Sequence, residues 1–127
     1  MIHDSYVSDF VIKAKEAGIT PQGTARELLA KNMEHFAATL ARTLVDVYGL
    51  EPWEIARDVL YSREGLYMSS EAGARALKIG LNLNAAAMAM TFHKLAFTST
   101  ACKYILEQLH FSESEIKKAI KTTYNVD

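Results

Sequence analysis

Interruptions are scarce in this chain. Its 127 residues hold 2 prolines and 6 glycines, so most of it has nothing to stop a helix once one begins. Apolar residues recur at helical spacing almost throughout. Val7, Phe10, Val11 and Ala14 mark one face of a first helix starting at Asp4 or Ser5. Gly18 supplies a left-handed stop, Ile19 folds back on the last turn, and Thr20-Pro21 opens the next helix with a capping hydroxyl and a proline at its first position.

The spacing predicts a long second helix over about 21–48. Leu29, Met33, Phe36, Leu40, Leu44 and Val47 form its main stripe, with Ala30, Ala37, Ala41, Val45 and Tyr48 beside it. Arg42 and Asp46 are spaced as an i, i+4 pair, on the polar side with Lys31 and His35. Gly49-Leu50 repeats the stop, and a third helix from Pro52 to Arg63 carries Ile55, Ala56, Val59 and Leu60. A segment capped by Ser69 or Ser70 follows. Unbroken to His110 it would measure roughly 60 Å, too long for one small domain, so a break is expected in Gly80–Asn84. A second long helix is then expected over about 84–109. One row on it is Ala85, Met88, Phe92, Leu95, Cys102, Leu106 and Leu109; the other is Ala86, Met90, Phe97, Ala101 and Tyr104. Ser112-Glu113-Ser114-Glu115 is a capping box for a terminal helix.

These elements describe an all-α fold: a single domain over 1–127, built as a compact bundle of five to six helices, two of them long. No strand alternation, internal repeat or low-complexity tract is evident. The apolar stripes exceed what one four-helix core requires, which points to burial between subunits.

Charge and composition exclude several roles. The formal net charge is −1, which gives no general attraction to nucleic acid or anionic membrane. No apolar run approaches the ~18 residues of a membrane span, and the first residues lack the pattern of a signal peptide. The single cysteine, Cys102, cannot form an internal disulfide, so a reducing cytoplasmic compartment is expected. Its apolar neighbours read as those of an inert core thiol.

Four sets of residues merit attention. His93, with Met90 one turn before it, could line a ligand pocket in a bundle core. Glu107 and His110 have the Glu-x-x-His spacing of di-iron bundles, but no second copy occurs, so no metal or cofactor is expected. Lys117, Lys118 and Lys121 cluster on the terminal helix, and Gln22, Thr24 and Arg26 open a candidate recognition helix; both are possible nucleic-acid contacts, though the preceding Glu113 and Glu115 favour simple solvation. Trp53, Arg57, Tyr61, Arg63 and Tyr67, near Met68, are the residue types that anchor protein partners.

The stretch Ser8-Asp9-Phe10-Val11-Ile12-Lys13-Ala14-Lys15-Glu16-Ala17-Gly18-Ile19-Thr20-Pro21 resembles helix–turn–helix openings in small helical proteins of tailed bacteriophages. The resemblance covers residues 8–21 and implies a viral protein, structural or directed at the host, in the host cytoplasm or the virion. It carries no site residue. The expectation is a non-enzymatic protein-interaction or assembly protein that self-associates. Its alternatives are a ligand-binding bundle around His93 and a small nucleic-acid-binding regulator.

Overall fold

The computed structural model describes residues 4–30 and 36–126. Among these residues there are eight α-helices and no strand: α1 (Asp4–Glu16), α2 (Pro21–Ala30), α3 (Ala37–Tyr48), α4 (Pro52–Ile55), α5 (Ser70–Leu81), α6 (Ala85–Lys94), α7 (Ser99–Gln108) and α8 (Glu113–Tyr124). A π-helical turn over Ala56–Leu60 continues α4.

One turn chemistry recurs six times along the chain: a residue with positive φ, an apolar residue, then a residue at a helix N-cap. Gly18, Gly49, Tyr67, Asn82, Ala96 and His110 take the first place. Ile19, Leu50, Met68, Leu83, Phe97 and Phe111 take the second, all half-buried. Thr20, Glu51, Ser69, Asn84, Thr98 and Ser112 take the third. At Gly18, Ala96 and His110 the apolar residue's N–H reaches back to the carbonyl five residues earlier: Ile19 to Ala14 at 2.9 Å, Phe97 to Phe92 at 3.0 Å and Phe111 to Leu106 at 3.3 Å. That closure satisfies carbonyls the helix end would otherwise orphan, and it presses an apolar side chain onto the last turn. Phe97 lies 4.9 Å from Phe92, ring centre to ring centre.

This turn divides the expected helix over 84–109. It runs as α6 and α7, because Ala96 adopts φ 66° and the Thr98 hydroxyl accepts from the Ala101 N–H at 3.1 Å. The expected helix over 21–48 is represented by α2 and α3, and its middle, 31–35 with Met33 and His35, lies outside the described residues. The break expected in Gly80–Asn84 falls at Asn82 (φ 54°), with Asn84 as N-cap. Gly80 has a different role: a Cβ there would collide with the Ala38 carbonyl, so glycine lets α5 cross close over α3.

Packing follows chain order. Counting α4 and its π turn as one element, the substantial helix contacts join only neighbours or next-neighbours: α1, α3, α5 and α7 form one row, and α2, α4, α6 and α8 the other. Instead of the expected five- to six-helix bundle, the described residues form eight helices stacked in two rows. Nearest-neighbour stacking of helix pairs is the organisation of solenoids. Side-chain ties reinforce the steps within a row. Lys15 of α1 donates to the Val47 carbonyl at the end of α3 (2.8 Å) and lies over the Tyr48 ring. Lys78 of α5 donates to the Leu109 carbonyl at the end of α7 (2.6 Å) and lies over the Phe111 ring. The α1–α3 step and the α5–α7 step thus use the same device.

The two halves also correspond in sequence. Residues 41–55 align with 102–116 without a gap: Ala41 with Cys102, Arg42 with Lys103, Leu44 with Ile105, Asp46 with Glu107, Leu50 with Phe111, Glu54 with Glu115 and Ile55 with Ile116. Both segments end in a capping box, Glu51/Glu54 and Ser112/Glu115. Few of the paired residues are identical, so the repeat shows only once the structure gives its frame.

Candidate functional site

Two surfaces gather chemically distinctive side chains. The first joins α4 to α6. Pro52 and the Glu51 capping box start α4 and fix the direction of Trp53, whose indole N–H donates to the Glu51 carboxylate at 2.6 Å. The Arg57 guanidinium lies 4.7 Å from the Trp53 ring centre and the Lys94 ammonium 5.7 Å. Arg57 is held by two bonds to Asp58, at 2.7 and 2.9 Å. That pair raises the guanidinium pKa and holds the Asp58 carboxyl below its usual range. Met90, 57% exposed, lines a hollow of about 180 Å³ with Trp53 and Lys94. Trp53 and Arg57 of one expected set meet Met90 of another here, and Lys94 joins them.

The remaining aromatic candidates divide. Tyr67 is exposed, with the Arg63 guanidinium 5.5 Å from its ring centre. Tyr61 turns inward: its hydroxyl donates to the Ser70 carbonyl at 2.8 Å and its ring lies against Phe97 and Gly73. Burial pushes its pKa up. It is a packing residue, not part of an exposed partner face, because the α4–α5 connection closes over it.

His93 is exposed on α6 and meets the edge of the Tyr124 ring at 5.0 Å. It is not in a core pocket, since the buried face of α6 is the one carrying Met88 and Phe92. Glu107 and His110 are also exposed, and His110 forms a turn; among the described residues no group of three metal-ligating side chains occurs. Cys102 is buried, which raises its thiol pKa. The candidate recognition helix is committed to packing. Thr24 is buried and donates to the Thr20 carbonyl at 2.9 Å, Arg26 reaches the Gly65 carbonyl at 3.4 Å, and Gln22 is half-buried.

The second surface was not singled out from sequence. Between α7 and α8 runs a groove of about 470 Å³, with Lys103 and Glu107 on one wall and Glu113 and Lys117 on the other; Phe111, Ile116 and Ile120 lie between them. The signal that could have found it is the pair of i, i+4 charges, Lys103/Glu107 and Glu113/Lys117, flanking one turn. Lys118 belongs to another groove, with Asn84 and Ala86. The expected lysine cluster is thus split between two sides of α8, with Lys121 also exposed.

No family model, curated protein or solved structure matches this chain. No helix among the described residues is long and apolar enough to cross a membrane.

Proposed function

We propose that this protein is a non-enzymatic interaction and assembly protein that associates with copies of itself in a reducing, cytoplasmic setting. One observation carries the reading. Of the two apolar rows expected over 84–109, Met88, Phe92, Cys102 and Leu106 of the first are buried and Phe97 of the second packs on Phe92, whereas Ala86, Met90, Ala101 and Tyr104 (60% exposed) of the second stay on the surface. Exposed Met and Tyr, with a half-buried Trp beside cations, is the composition of a protein contact surface. Stacked helix pairs suit that use, because their length presents a continuous surface. A role in assembly also agrees with the phage-protein resemblance of residues 8–21.

Light scattering after size exclusion, over a tenfold concentration range, tests the reading. The expected result is a mass that rises above the 14.1 kDa of one chain. A constant 14.1 kDa at every concentration would refute it.

The Trp53 surface supports a second reading, a face for a different protein partner, because two cations converge on one indole beside exposed Met90. Trp53 is the single tryptophan, so its emission reports on that face alone. Emission unchanged by self-association would keep this face free for another partner.

A further inference from the structure

Four charged side chains flank the α7/α8 groove, Lys103 and Glu107 on α7 and Glu113 and Lys117 on α8. All four are exposed, and none forms an ion pair with another described residue. The corresponding pair of the first half behaves otherwise, since Arg42 and Asp46 meet at 3.8 Å. Phe111, Ile116 and Ile120 line the space between the two charged walls. The hairpin thus presents unpaired charges on both sides of an apolar strip.

The order of those charges decides what can face them. A short turn joins α7 to α8, so the helices run in opposite directions. Glu107 and Glu113 therefore flank the end of the groove near the turn, and Lys103 and Lys117 the end away from it. One end is acidic and the other basic, in equal numbers, so neither an acidic nor a basic partner suits both. A second copy of the same groove does. A two-fold axis lying in the contact and crossing the groove at right angles sets α7 antiparallel to the partner's α7, and α8 antiparallel to the partner's α8. Lys103 then faces the partner's Glu107, and Glu113 faces the partner's Lys117, each contact occurring twice by symmetry. Tyr104 follows Lys103 and stands one helical turn before Glu107, and it is 60% exposed. Its ring comes to the middle of the contact, where α7 meets the partner's α7.

We infer that two copies of this chain pair through their α7/α8 faces about this two-fold axis. The inference rests on the self-association reading above and specifies its interface. It is an isologous contact, which uses the same patch on both copies and closes at two.

The test follows mass by concentration-dependent light scattering for the wild-type chain and for charge variants of the groove. Lys103→Glu/Lys117→Glu makes its four charges acidic, Glu107→Lys/Glu113→Lys makes them basic, and combining all four substitutions exchanges the two ends. The four positions are exposed, so the helical circular dichroism of every variant should match the wild type. The wild-type mass should level off at twice the 14.1 kDa of one chain. Each double variant alone sets like charges face to face and should need at least roughly tenfold more protein to pair. Mixed in equal amounts, the acidic and basic variants should regain pairing. The fourfold exchange should pair with itself, since unlike charges again oppose one another. Weakened association in the double variants that neither the mixture nor the exchange restores would mean that the groove meets a different surface, and would overturn the two-fold pairing. Wild-type association untouched by any variant would overturn the groove and leave self-association standing. A wild-type chain that stays at 14.1 kDa would overturn both.

Discussion

The hairpin α3–α4 and the hairpin α7–α8 share a sequence frame, a capping box and an i, i+4 pair of base and acid, yet α5 packs on the first while the groove between α7 and α8 stays open. Over the first, Gly80 lets α5 approach until its backbone meets Ala38, and Gly73 admits the Tyr61 ring. Over the second, Ile116 borders open space. The contrast teaches that local pattern makes a hairpin with one usable face, and the neighbour decides whether that face becomes core or surface.

The sharpest way to break this comparison is to truncate corresponding isoleucines. Ile55 is fully buried, and Ile116, buried to 5% exposure, lines the open groove. Ile55→Ala should cost about 3–5 kcal/mol, whereas Ile116→Ala should cost about 1–2 kcal/mol less, because solvent and side chains can fill its space. Equal losses in urea denaturation would show the two faces to be equally enclosed. Next in size is the crossing itself. Gly80→Ala should cost about 1–3 kcal/mol by forcing α5 away from α3, and a neutral result would deny the close approach.

The turns offer a subtler contrast. Gly49 (φ 70°) and His110 (φ 66°) occupy the same place in the two hairpins. Left-handed backbone costs a side-chain-bearing residue about 1 kcal/mol. Gly49→Ala should therefore destabilise by about 1 kcal/mol, and His110→Gly should stabilise by about 0.5–1 kcal/mol. Thermal melts that move in the same direction for both would contradict the shared turn.

The smallest effect concerns the capping boxes. The Ser112 hydroxyl and backbone N–H hold Glu115 below its usual pKa. A depressed carboxylate stabilises the fold fully above its unfolded pKa, and that stability is lost as pH falls through the folded value. The melting temperature should thus be level near neutrality and drop below about pH 4.5, with a shallower acid limb in Glu115→Gln. An unchanged limb would assign the acid sensitivity to other carboxylates, Asp58 among them.

How much was legible in the sequence follows from the range of each interaction. Gly18, Gly49 and the Asn82–Asn84 stop could be read directly, because glycine and asparagine tolerate left-handed backbone for intrinsic reasons. Ala96 and His110 could not. There the turn is imposed by the apolar residue after it and the hydroxyl cap beyond, Phe97 with Thr98 and Phe111 with Ser112, against a modest penalty at the turning residue. The single long helix expected over 84–109 failed at that point.

The candidate sites divide in the same way. That Trp53 and Arg57 are partner-type residues was clear from their chemistry; that Met90 and Lys94 join them depended on α6 packing against α4. Tyr61 and Tyr67 look alike in sequence, and only the path of the chain between them and α5 turns one inward. The α7/α8 groove needed both the antiparallel turn and the absence of a covering helix.

By itself the sequence determined the helical class and most of the places where helices start. These rest on contacts within a few residues, where spacing is the geometry. The tertiary structure alone decided the two-row order, the correspondence of the two hairpins and the surface left uncovered, because stacking joins residues whose separation along the chain carries no periodic signal.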